Sequence, residues 1–137
     1  MSAPASLVLE DRVELPRLSL AWHTPAMFHD DDAAMDIAAD VLSNGKTSRL
    51  YRTLVYDTRL AADVSAIQAS REMSSVFQVS ATAAPDQSLA AIATLIECTL
   101  DDLAATGPTT DELERATARA EAQFVYRVQT IGSFGGK

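Results

Sequence analysis

Two runs of residues with strand character, Ala62–Ala69 and Ser75–Ala83, lie only five residues apart, joined by Ser70-Arg71-Glu72-Met73-Ser74. In the second run Phe77, Val79, Ala81 and Ala83 alternate with Gln78, Ser80 and Thr82, the period-two pattern of a strand with one buried face. A connection this short makes a hairpin, whereas parallel strands need a crossover of a dozen residues or more. The chain is therefore committed to antiparallel pairing, and every other element must be placed around that hairpin.

Upstream, Arg12 to His23 alternates as well. Leu18, Leu20 and Trp22 fall on one side, and Arg17, Ser19, Ala21 and His23 on the other. Pro16 cannot donate to a ladder, so this strand belongs at a sheet edge or bulge, and Thr24-Pro25 ends it. Asp30 to Leu42 reads as a helix with Ala34, Ile37, Ala38, Val41 and Leu42 along one stripe, stopped by Ser43-Asn44-Gly45. A second helix, capped by Thr47 or Ser48, runs to about Thr58. At 100° per residue it places Leu50, Tyr51, Leu54 and Val55 on a core face and Arg49, Arg52, Tyr56 and Arg59 on the opposite one.

After the hairpin, Pro85-Asp86-Gln87-Ser88 opens a long helix with Leu89, Ile92, Ala93, Ile96, Leu100 and Leu103 inward. Thr106-Gly107-Pro108 stops it. Thr109 and Glu112, at capping-box spacing, start a last helix that runs to Thr130 or beyond, with Leu113, Thr117, Ala120, Phe124 and Val128 on one face. The order β-α-α-β-β-α-α, with hairpin strands and segregated helices, specifies an α+β fold: an antiparallel sheet with helices packed on one face.

The 137 residues make one domain by size, and a 47% apolar content supplies its core. A net charge of −8 disfavours nucleic acid, whose phosphates need Lys and Arg. No stretch reaches the ~20 apolar residues of a membrane span. Cys98, the single cysteine, excludes an internal disulfide and, flanked by Leu95, Ile96 and Leu100, reads as a thiol in or near the core, not a nucleophile. No signal-peptide pattern opens the chain, yet both ends read as cut from something longer, which leaves a periplasmic and a cytoplasmic setting both open.

No catalytic site emerges from the residues. A zinc site needs three or four converging His, Cys, Asp or Glu ligands. His23 and His29 are six apart across Pro25, and Asp30, Asp31 and Asp32 suit a solvated helix start better than a cation. No H-x-x-E-H, H-E-x-x-H or G-x-S-x-G is present. Gly45-Lys46-Thr47 lacks the upstream glycine of a phosphate loop, since position 40 is Asp40. What remains is the basic stripe Arg49, Arg52, Tyr56 and Arg59. It reads either as a wet face pairing with acids such as Asp57 or Glu72, or as a cradle for peptide carboxylates or carbonyls.

The segment GKTSRLYRTLVYDTRLAADVSA (45–66) resembles the metal-free C-terminal half-domain of the insulinase, pitrilysin and mitochondrial-processing-peptidase superfamily of zinc peptidases, in its bacterial branch. The resemblance extends to Leu18-Ser19-Leu20-Ala21-Trp22, to the Asp32–Gly45 helix and to Gly107-Pro108-Thr109 followed by Glu112-Leu113. It implies a non-catalytic domain that packs against a zinc-bearing domain, in the same chain or a partner's, and helps enclose a peptide substrate. Zinc is then expected in the parent protein and none in this segment. Members that bind substrate through this domain carry an arginine and, seven residues on, a tyrosine. Those positions are Val55 and Ala62 here, so the pair is lost, and Arg49 and Tyr56 stand out of frame. Two alternatives stay open: a scaffold domain of an inactive peptidase homologue, and an unrelated self-associating module.

Overall fold

The computed structural model describes residues 5–129. The expected order is present: β1 (Arg17–Thr24), α1 (Asp32–Ser43), a π-helical segment (Tyr51–Asp57), β2 (Ala61–Ala69), β3 (Ser75–Ala83), α2 (Leu89–Thr106) and α3 (Thr110–Gln129). The strands form one antiparallel sheet in the order β1-β3-β2. The hairpin partner β3 is central because β1 returns to its free side, pairing Leu18 with Ala81, Leu20 with Val79 and Trp22 with Phe77. Strand β1 is therefore an edge strand, as Pro16 requires. It is shorter than the alternation suggests: residues 12–15 lie outside the ladder.

The apolar sheet face, with Val64, Ala66, Phe77, Val79 and Ala81, meets Leu42 of α1, Leu50 and Leu54, and Ile92 and Ile96 of α2 in one core. Leu50, Leu54, Val79, Ile92 and Ile96 are fully enclosed, each large side chain stabilising the fold by roughly 1.5–3 kcal/mol. The opposite sheet face is polar. There Ser19 Oγ lies 3.0 Å from Ser80 Oγ, and Gln78 Nε2 donates to Ser80 Oγ at 3.0 Å. Helices on one side and a polar face on the other give the α+β arrangement expected.

Edge strand β2 is met by α1 at one point. The Ala66 N–H donates to Ser43 Oγ at 2.8 Å, which satisfies a backbone group that would otherwise face solvent. A bulge between Ala61 and Asp63 starts this strand. Gly45, at φ +89°, takes the left-handed position after α1.

Four local expectations are corrected. Cys98 is exposed, on the outer side of α2, because Ile92 and Ile96 turn the inward face away from it. The buried stripe of α1 is Ala39, Val41 and Leu42 with Met35 packed beside them, and Ala34 is exposed. The second helix is wider than an α-helix, with Thr58 N–H donating to the Thr53 carbonyl five residues back at 3.1 Å. Neither Thr47 nor Ser48 caps it; the Ser48 hydroxyl donates instead to the Gly45 carbonyl at 2.7 Å. Finally, α3 turns inward through Glu112, Ala116 and Arg119. Leu113, Phe124 and Val128, which share one face of the helix, are 46%, 62% and 56% exposed, so that face is turned outward.

Candidate functional site

The basic stripe divides. Arg52 is exposed and lies 3.7 Å from Asp57; Tyr56 and Arg59 are exposed, and Arg59 has φ +54°. Arg49 leaves the stripe. Its Nε and Nη2 donate to the two carboxylate oxygens of Glu112, each at 2.8 Å, and Nη2 also reaches the Gly107 carbonyl at 3.0 Å. Nη1 donates to Asp102 at 3.0 Å. The Arg49 and Glu112 side chains are 16% and 15% exposed. This forked pair clamps the helix after Gly45 onto the turn between α2 and α3, and all the guanidinium nitrogens are engaged.

The same carboxylate completes the capping box read from the sequence. The Thr109 N–H donates to Glu112 Oε2 at 2.8 Å, and the Glu112 N–H donates to Thr109 Oγ1 at 3.2 Å. The Arg49 hydrogen bonds, aided by the Thr109 N–H and opposed by burial, hold the Glu112 carboxyl down at about 2. The hydrogen bond with Glu112 likewise raises Arg49 above its ordinary value. A second clamp joins α3 to α1: Arg119 Nη1 donates to Asp40 Oδ2 at 2.9 Å and to the Asn44 carbonyl at 2.8 Å. The arrangement binds helices to one another and offers no free carboxylate or base for chemistry.

The acidic run separates in the same way. Asp30 and Asp31 are exposed, and Asp31 Oδ2 lies 3.5 Å from His29 Nδ1. Asp32 accepts from Ser70 Oγ at 2.7 Å and from Gln68 Nε2 at 3.1 Å. These two bonds, Ser70 first, hold its carboxyl below the usual range. The loop before α1 is also joined to the hairpin connection by the Met27 N–H donating to the Arg71 carbonyl at 2.8 Å. His23 sits on the exposed side of β1. No group of three or more His, Cys, Asp or Glu side chains among the described residues is placed to hold a metal ion, so the donors described do not fit zinc. No helix among them is long and apolar enough to cross a membrane.

Val55 packs half-buried against the core, and Ala62 is exposed at the β2 bulge. Neither side chain has a polar group. Sequence reasoning missed the Arg49–Glu112, Arg119–Asp40 and Asp32–Ser70 pairs, whose partners are 63, 79 and 38 residues apart. Only Glu112 carried a local signal, through its spacing from Thr109.

Residues 3–119 match the family model described as the peptidase M16 inactive domain. The chain is 28% identical over 134 residues to the zinc protease PqqE of Helicobacter pylori, covering 98% of this chain and 30% of that protein. A solved protease from the same species superposes with a TM-score of 0.85 over 93% of this chain and 30% of that one, at 28% identity. A solved putative zinc protease from Bordetella pertussis Tohama I has a TM-score of 0.81, at 25% identity, over 91% of this chain and 69% of that one. The chain thus spans 30% of the length of the curated relative it matches. On the family match over most of its length, it belongs to the peptidase M16 inactive-domain family, as a C-terminal M16-like domain.

Proposed function

We propose that this chain is the metal-free half of a zinc peptidase, which packs against a zinc-bearing domain and helps enclose the peptide substrate. The observation that carries the reading is the match to the inactive-domain family over residues 3–119. The locked Arg49 supports it, since the conspicuous cation of the family-like segment is engaged within the fold. Zinc and the hydrolysis it supports belong to the parent protein, and no step of that chemistry passes through residues of this chain. Residues with no polar group at Val55 and Ala62 favour a role in shaping the cleft over gripping a substrate.

The test uses the full-length gene product. It is expected to carry H-x-x-E-H on the N-terminal side of this segment, to hydrolyse peptides with zinc bound, and to lose that activity when the segment is deleted. The 137-residue chain alone is expected to hydrolyse none. Metal-dependent proteolysis by the chain alone, or full activity without it, overturns the proposal. A parent with no zinc motif points instead to the scaffold role.

A further inference from the structure

Residues 5–16 carry no regular structure, and three consecutive aliphatic side chains in them are almost bare: Leu7, Val8 and Leu9 are 81%, 83% and 80% exposed. Directly after this arm comes β1, a sheet edge with no strand on its outer side among the described residues. The apolar face of β1 is also unfinished: Leu18 and Leu20 are half-buried, and Trp22 is 39% exposed. A sheet edge without a neighbouring strand and an exposed apolar segment are complementary, because strand addition satisfies the backbone groups of both.

We propose that the β1 edge receives the arm of a second copy of this chain, reciprocally, about a two-fold axis. The sequence selects the register. Antiparallel pairing of Glu10 with Arg17 brings Leu9 beside Leu18, Val8 beside Ser19, Leu7 beside Leu20 and Ala5 beside Trp22. Leu9, Leu7 and Ala5 then extend the apolar face, while Glu10 lies opposite Arg17 on the polar one. Neither Glu10 nor Arg17 has an ion-pair partner among the described residues. A shift by one residue would put Leu7 and Leu9 on the polar face and lose the charge match. A second copy receives the arm without any loop closure, whereas folding back onto its own β1 would require Asp11–Pro16 to close a loop. This surface is independent of the peptidase reading.

The experiment combines light scattering with a cross-link on the 137-residue chain. Scattering behind size exclusion is expected to give a dimer that dissociates on dilution. Deletion of residues 1–12 is expected to give a monomer with an unchanged circular dichroism spectrum. The single tryptophan, Trp22, is expected to shift its emission to the blue as the dimer forms. In a C98S background, the pair V8C and S19C on one chain should oxidise to a covalent dimer. An intramolecular bridge in a monomer, free thiols after oxidation, or a dimer that survives removal of the arm overturns the proposal.

Discussion

Replacing Glu112 by Gln keeps the shape of the Arg49 clamp and removes its charge. The expected loss follows from the depressed carboxyl. A fall from the ordinary 4.5 to about 2 corresponds to roughly 3 kcal/mol at about 1.4 kcal/mol per pH unit. The clamp borders solvent through Asp102, which is 64% exposed, and screening reduces the figure to about 1–2 kcal/mol. For a domain of this size that is about 3–8 °C in melting temperature. The sign with pH is fixed: a depressed carboxyl contributes its full stability above pH ~4.5 and loses it as the pH falls toward ~2. Urea unfolding of the chain and of E112Q should therefore differ by about 1–2 kcal/mol at pH 7, with the gap closing progressively between pH 5 and 2. A gap of the same size at pH 2.5 and pH 7, or none at pH 7, would refute the reasoning.

Three further outcomes are expected. Leu54→Ala removes a fully enclosed side chain and should cost about 2–5 kcal/mol in the same unfolding assay. Ser43→Ala deprives the Ala66 N–H of its partner, which should cost about 1 kcal/mol and speed hydrogen exchange at the Ala66 amide. The exposed Cys98 should react with one equivalent of a thiol reagent in the folded state, without denaturant.

Element order and the antiparallel sheet were legible because each depends on short-range signals: the five-residue connection, the period-two alternation, and the Asn44-Gly45 and Gly107-Pro108 stops. The capping box at Thr109 and Glu112 was legible for the same reason. Arg49 was misplaced because a helical projection sorts residues by angle alone. A guanidinium on the polar side of the wheel still reached a carboxylate 63 residues away. The inward face of α3 was not legible for a related cause. Periodicity locates apolar residues, and assumes they are what attaches a helix. Here Glu112 and Arg119 attach it. Asp32 was read as one of three solvated acids, and nothing local marks it out from Asp30 and Asp31. Only the folded hairpin connection brings Ser70 and Gln68 to it.

The attachment of α3 by two guanidinium clamps has a consequence for how that helix is aimed. Burial of oily side chains is indifferent to direction, so a helix held that way can roll. Hydrogen bonds from Arg49 to Glu112 and from Arg119 to Asp40 are directional and fix the rotation of α3 about its own axis. Leu113, Phe124 and Val128 are consequently held at a set azimuth, whatever lies against them. The clamp on Glu112 weakens as the pH falls toward about 2 and its carboxylate takes up a proton, whereas the sheet core holds no such group. Acid should therefore free α3 first, as a local opening that leaves the β1-β3-β2 sheet and its core closed.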